Sequence, residues 1–462
     1  MLWILSFILI LGAAVVLHEF GHFIVAKLLG IRVETFSVGF GKRIWGRRWG
    51  TTDYRLSLIP LGGYVKLGGD DSNAGIEEGT AEEIPAGERF DLRPRWQKFL
   101  VGVAGPVMNV LTAIAIPLVA AMTNGVPVAP PPVVRSVEAG GAAEAAGIRK
   151  GDRIVSFNGS DDSSWDRIRN DAMISPEQSI PLVVEREGQR VPLTVKPSKL
   201  VFEGEAVGSL GIQPDYGDVP VVVASVLQDS PAAESGLKPG DQIAALDGEP
   251  VKSSEQVVRY IEEHKEGPIK FTVRRDGQTV EVEAGARRMA NGKLGFSPAE
   301  DYPVQQLGLA SATSYAVGHN VEMLRITGLA LGQVFSGQRS VRDTVSGPIG
   351  IAVASKRFVE EEGVGGGLRM LGFLSLNLGI FNLLPIPVLD GGMIFMLFLE
   401  GALAWVGVKL TMRMRERIQQ VGFVFLLLLM GFVIINDVTK VASRLGRGSA
   451  EQPQPAATQQ QK

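Results

Sequence analysis

The chain contains no cysteine among its 462 residues and only four histidines, His18, His22, His264 and His319. The first absence removes disulfides, thiol nucleophiles and thiolate metal sites, so a metal could be held only by imidazoles and carboxylates. An excess of one charge is lacking too. With 46 basic and 49 acidic residues the formal net charge is −3, which offers nothing to draw a nucleic acid. No P-loop or dinucleotide fingerprint is present, so nucleotide chemistry is not expected. What the chain has is apolar length: 45% of its residues are hydrophobic, mean hydropathy is +0.16, and four long apolar runs exclude a wholly water-soluble fold.

The first run, residues 1–31, has neither the basic start nor the small-residue cleavage site of a signal peptide, and reads as a retained transmembrane helix. Further spans are expected at 98–123, 368–390 and 418–437. The loop 32–97 carries ten lysines or arginines, and Lys409, Arg413, Arg415 and Arg417 lie between the last two spans. The positive-inside rule makes both stretches cytoplasmic. Parity then places both termini and an insertion of residues 126–365 outside, in the periplasm if the chain sits in a bacterial inner membrane. Residues 303–335 tempt a fifth span, but Glu322 and Arg325 divide them, so 291–365 reads as a periplasmic helical segment and 391–417 as an interfacial one. The tail 446–462 lacks apolar residues to fold around and is expected to be disordered.

The insertion repeats itself. "PPVVRSVEAGGAAEAAGIRKGDRIVSFNG" aligns with "PVVVASVLQDSPAAESGLKPGDQIAALDG" at a constant offset of 89 residues, matching Gly147 with Gly236, Asp152 with Asp241 and Gly159 with Gly248. Each copy reads strand, short helix, glycine turn, strand, and "IKFTVRRDGQTVEVEA" forms a hairpin around Asp276-Gly277. The run G-[IL]-x-x-G-D-x-I resembles a PDZ domain, whose strand edge accepts peptide termini; a spacer that binds nothing is the alternative. The copies are expected at 126–215 and 216–290. The fold expected is thus a multi-pass α-helical membrane protein with four spans and two tandem PDZ-like α/β domains between the second and third. Asn158-Gly-Ser reads as a turn in this repeat rather than a glycosylation site.

"VVLHEFGHFIVAKLLG", residues 15–30, sets polar groups inside a membrane-grade helix. Positions four apart share a helix face, so His18 and His22 can grip one metal ion, and Glu19 projects about 100° round, where it can reach a water beside the ion and act as a general base. Zinc suits two neutral imidazoles and is redox-silent. A third ligand must come from elsewhere, because Val25 and Leu28 stand where a longer helical motif would supply a glycine and a histidine. Glu34 is one candidate. Asp390 in "NLLPIPVLDGG" is the better one, being a carboxylate at membrane depth, and the first and third spans run in the same direction and bring both motifs to the cytoplasmic side. Pro385 and Pro387 break the helix before it and can open a hydrated pocket. Asn382 reads either as a substrate contact or as an interhelical clasp. His264 and His319 read as exposed or loop histidines.

With H-E-F-G-H on the first span, tandem PDZ-like copies outside and N-L-L-P-I-P-V-L-D-G-G on the third, the chain resembles the site-2 protease family of intramembrane zinc proteases. The resemblance implies one zinc per chain on His18, His22 and Asp390, Glu19 as catalytic base and Asn382 as a substrate-positioning residue. The stretch "VGFGKRIWGRRWGTTDYRLSLIPLGGYVKLGG" is similar to the family's membrane-associated β-hairpin, which implies that Gly62, Gly63 and Tyr64, with Pro385, contact substrate. The implied substrates are transmembrane helices of single-pass proteins already trimmed outside, such as an anti-sigma factor or remnant signal peptides, cleaved by a monomer in the lipid bilayer. A non-enzymatic adaptor or sensor with a structural metal is the main rival. A metal transporter would need more intramembrane ionisable groups than Asp390 and Glu400.

Overall fold

A computed structural model describes residues 2–70, 84–128, 130–161, 164–202, 205–217, 219–264, 267–285, 289, 292–344, 346–405, 407 and 411–447. Lys409 and residues 448–462, most of the tail expected to be disordered, lie outside the described residues. Among the described residues, four helical stretches are long and apolar enough to cross a membrane: Leu5–Leu28, Arg95–Thr123, Glu362–Asn382 and Arg413–Lys440. The helix Leu309–Phe335 is not among them.

The chain divides into two compact units. The first comprises Met1–Val128, Val219–Arg325 and Ile351–Leu428. In it, helix α1 (Leu2–Leu28) leads into the antiparallel pair β1 (Val33–Trp49) and β2 (Thr52–Leu67), followed by helix α2 (Arg95–Thr123). Both strands double back: residues 33–38 pair with 63–67 on one side and with 53–56 on the other, and 43–49 pair with 52–57. The pair therefore makes four laddered segments, with 63–67 at an edge beside α1. Glycine allows the bend. Gly39 sits at φ +91°, and a Cβ there would stand 2.7 Å from the Ile59 carbonyl oxygen. Ile31, Val33, Val65, Leu67, Phe90 and Val101 close a buried cluster over the end of α1.

The helix Pro348–Asn382 is broken at Gly363 and stops at Asn382, eight residues before the boundary that hydropathy suggests for the third span. Pro385 and Pro387 cannot donate backbone hydrogen bonds, so the chain turns through residues 383–389. A new helix then opens at Asp390 and runs to Trp405. Residues 391–405, the first part of the segment read from the sequence as interfacial, are thus helical and apolar.

The second copy of the repeat lies in the same unit. Its sheet also takes in Phe296–Glu300, paired with Val221–Val226, so the copy extends past residue 290. Buried Val223, Ile243, Leu246, Val257, Phe271 and Val273 form its core, each on the inward face of its strand or helix.

The second unit comprises Ala129–Asp218, Ile326–Gly350 and Leu429–Lys462. Strand Val126–Pro127 belongs outside it, pairing with Val304–Gln305 in the first unit, so the first copy begins a few residues later than expected. Within this unit the Asp437 carboxylate accepts the N–H groups of Gly347, Ile349 and Gly350, capping the helix that starts at Pro348.

The two copies repeat each other's geometry to atomic detail. Helix Trp165–Ile174 answers Ser254–Glu263, and strands Ile180–Arg186 and Gln189–Val195 answer Ile269–Arg275 and Gln278–Ala284, all at the 89-residue offset. Asn158 and Asp247 both hold positive φ, +51° and +49°, at equivalent turns. In each copy one arginine forks onto one buried aspartate and reaches a glycine carbonyl: Arg186 to Asp152 and Gly147, Arg275 to Asp241 and Gly236. The same carboxylates take the N–H of Arg149 and of Lys238. The offset breaks only after Val195. There the first copy has a hairpin, Ser198–Phe202 with Glu205–Ser209, that the second lacks among its described residues.

Burial pushes the Asp152 and Asp241 carboxyls up, and the arginine fork with the backbone N–H more than offsets it, so both are held below the usual carboxylate range. A group with a lowered folded pKa adds stability above its unfolded value, about 3.9 for aspartate, and loses it as pH falls through the folded value. Arg275→Ala should therefore destabilise the second copy at neutral pH by at least roughly 1–3 kcal/mol, the cost of leaving a buried acceptor unpaired. The gap from the parent should narrow below pH of about 4. Pulse proteolysis in urea at pH 7 and at low pH measures both.

Candidate metal centre

Helix α1 presents His18 and His22 one turn apart, with their Nε2 atoms 3.2 Å from each other. Asp390 closes the set: its Oδ2 lies 2.9 Å from His18 Nε2 and its Oδ1 lies 3.4 Å from His22 Nε2. An ion held tetrahedrally at ~2.0–2.1 Å separates neighbouring donors by about 3.3 Å. The three separations bracket that value. The donors are two imidazoles and a carboxylate, which suits zinc, and three of them leave a fourth coordination direction unused. Among the described residues this is the group of three potential ligands gathered closely enough for one ion.

Asp390 owes its place to the chain before and after it. Val388, a β-branched residue, is held at φ +86° in the turn that delivers the aspartate. Asp390 then begins a helix, where the exposed N–H groups favour a carboxylate. The two glycines that follow are obligatory for packing. A Cβ on Gly391 would stand 2.3 Å from the Leu383 carbonyl, and one on Gly392 2.2 Å from the Ile386 carbonyl oxygen. The first turn of the new helix thus rests on the backbone of the proline loop.

Helix α2 forms the other wall. Val101, Gly105 and Asn109 follow at four-residue spacing along one face. The Val101 carbonyl accepts a hydrogen bond from His22 Nδ1 at 2.7 Å. A Cβ on Gly105 would fall 2.3 Å from His22 Nε2 and 2.7 Å from His18 Nε2, so only glycine leaves room for the rings. The Asn109 amide, fully buried, stands 3.2 Å from His18 Nδ1. Gly21 brings the helices this close, since a Cβ there would meet the Ala104 carbonyl oxygen at 2.3 Å. In the sequence this stripe is hidden within an otherwise apolar span, and an asparagine one turn after a glycine is the signal that marks it.

Glu19 does not join the donor set. Its Oε2 accepts the Val65 N–H at 3.1 Å, tying the carboxylate to the edge segment of β2. Gly62 and Gly63 run beside the preceding turn of α1, against the side chains of Val15 and Val16, and Tyr64 is buried with its ring stacked on Phe40. Asn382, the last residue of its helix, places Nδ2 3.3 Å from His18 Nε2. Pro385 instead lines an apolar hollow with Pro387, Val421 and Phe425. Glu34 is 3.2 Å from Lys66 Nζ within the sheet, and Glu400 pairs with Arg415. His264 stacks on Tyr260 and His319 on Tyr315. None of these four belongs to the donor group.

The sequence profile of peptidase family M50 matches residues 6–429. The chain is 33% identical to the regulator of sigma-E protease RseP of Salmonella typhimurium strain 14028s, over 95% of this chain and 99% of that protein. It is 32% identical to the protein of the same name from Escherichia coli strain K12, with the same coverage. A protein of Vibrio cholerae serotype O1 named as a zinc metalloprotease is 31% identical, again over 95% and 99% of the two chains.

Gly105→Ala tests the approach of α2. The added methyl must push both imidazoles aside, so metal analysis of the purified protein should find well under one zinc per chain, against one in the parent.

Proposed function

The chain belongs to peptidase family M50 and is a zinc metalloprotease of the membrane, and from that premise we propose that it hydrolyses peptide bonds within or beside the bilayer. Its substrates are transmembrane segments of single-pass proteins already trimmed outside, an anti-sigma factor or a remnant signal peptide, as the sigma-E regulators it is similar to suggest. The observation that carries this reading is the convergence of His18, His22 and Asp390 beside a tethered Glu19. Three donors with a direction to spare favour a catalytic over a purely structural metal, and so over an adaptor or sensor.

His18, His22 and Asp390 would hold a zinc ion, which when bound would supply a Lewis acid for the scissile carbonyl and for water. Glu19 takes the proton of the attacking water and returns it to the leaving amine. The Val65 N–H keeps that carboxylate aimed, and letting go of it would free an edge-strand donor for a substrate backbone. A helical substrate hides its peptide bonds in its own hydrogen bonds, so cleavage requires local unwinding. An extended segment laid along residues 62–65 would regain partners from the strand edge, with Asn382 bonding the substrate near the reacting carbonyl. Pro385 acts through the turn that ends the preceding helix and keeps the approach open.

The four apolar helices act as spans, with both termini and the two repeats in the periplasm and the metal centre toward the cytoplasm of an inner-membrane protein, as the basic loops favour. The repeats are PDZ-like modules. They stand as a gate against bulky outer domains or as receivers of new chain termini, and the protein works as a monomer.

Glu19→Gln should keep one zinc per chain and lose at least about 10²–10⁴-fold in rate, the usual worth of a general base. Asp390→Ala should lose the metal itself. Detergent-solubilised protein incubated with a panel of single-span helices, with and without a chelator, and read by mass spectrometry, tests both. Cleavage by Glu19→Gln at the parent rate would remove Glu19 as base, and chelator-insensitive cleavage would remove the metal from the chemistry.

A further inference from the structure

The environment of His18 is more specific than a ligand position needs. Its Nε2 belongs to the donor set, 2.9 Å from Asp390 Oδ2 and 3.2 Å from His22 Nε2. A neutral imidazole that binds a metal through Nε2 carries its proton on Nδ1, and that N–H needs an acceptor. For His22 the acceptor is the Val101 carbonyl. Two turns along the same face of α2, the group 3.2 Å from His18 Nδ1 is the Nδ2 of Asn109, and Asn382 Nδ2 lies 3.5 Å from the same atom. Donors face a donor. Meanwhile the Asn109 side-chain oxygen is buried without a hydrogen-bond partner among the described residues. Amide oxygen and nitrogen are nearly interchangeable in shape, and which is which follows from the bonding network.

Resting on the zinc reading above, we propose that Asn109 is a positioning residue: its carbonyl oxygen, not its amide nitrogen, faces His18 and accepts the Nδ1–H, locking the imidazole with Nε2 free for the metal. One half-turn of the amide removes both defects. The orphaned oxygen gains a donor, and His18 Nδ1 gains an acceptor. The two histidines then have matching supports from one helix, a backbone carbonyl from Val101 and a side-chain carbonyl from Asn109, with Gly105 between them clearing the space the rings fill. The assignment also separates two asparagines that converge on one ring. Asn109, fully buried, holds His18; Asn382, at a helix end, is released to turn its amide toward substrate.

Zinc affinity of the full-length detergent-purified protein, measured by competition with a chromophoric chelator, provides a readout apart from activity. Losing such a support costs about 10–100-fold in metal affinity, so Asn109→Leu should weaken zinc by that factor. Asn109→Asp keeps an oxygen facing Nδ1 and should stay within a few-fold of the parent. Asn382→Leu should leave zinc affinity unchanged while altering KM or kcat. With only four histidines in the chain, ¹⁵N-histidine NMR of the zinc-loaded parent can assign the tautomer directly, and His18 should show a protonated Nδ1. This spectrum keeps the test alive even where Asn109→Leu does not fold. An unprotonated His18 Nδ1, or Asn109→Leu holding zinc as tightly as the parent, would overturn the proposal and leave the metalloprotease reading standing. A parent that binds no zinc, or keeps it in His22→Ala, would instead strike at the metal site itself.

Discussion

Two imidazoles and two carboxylates inside apolar helices are tolerable only if each polar atom has a partner, because an unpaired polar group buried away from water costs on the order of several kcal/mol. The gathering of His18, His22 and Asp390 meets that condition for the atoms that face one another, and Val101 and Val65 meet it for His22 Nδ1 and Glu19. Helices α1 and α2, the edge segment of β2 and the turn before Asp390 hold that arrangement.

Most of that holding is done by missing side chains. Gly21 and Gly105 let two helices touch backbone to ring, and Gly391 and Gly392 let a third sit on the proline loop. At these positions a single methyl group would fall inside van der Waals distance of a carbonyl or an imidazole. Dense packing transmits such a displacement straight to the donors, since interiors have few voids to absorb it. The strained Val388 belongs to the same economy of space: only seven residues separate Asn382, where one helix ends, from Asp390, where the next begins.

The two repeats stand on a different principle. Their cores are ordinary buried aliphatic and aromatic residues, and their shared signature is a charge clasp, one arginine at the end of strand Ile180–Arg186 or Ile269–Arg275 reaching back to an aspartate after the glycine turn. Arg186 and Arg275 obey the same offset as the aspartates they hold. They lie outside the segment whose similarity is obvious by eye, so the clasp emerges only when the strands are brought together.

The sequence by itself determined the chemistry on offer. The histidine pair is legible because helical spacing is local, the four apolar stretches because hydropathy is a property of composition, and the duplication because it is written twice. Asp390 was legible as an anomaly, a carboxylate where an apolar span should continue. Only the tertiary structure decided where that span ends, what the glycines are for, and which groups on α2 support the imidazoles. Those depend on contacts between residues up to several hundred positions apart, such as Asn382 and His18, and on close approach of backbones. No local pattern encodes a contact of that kind; it exists only once the helices have packed.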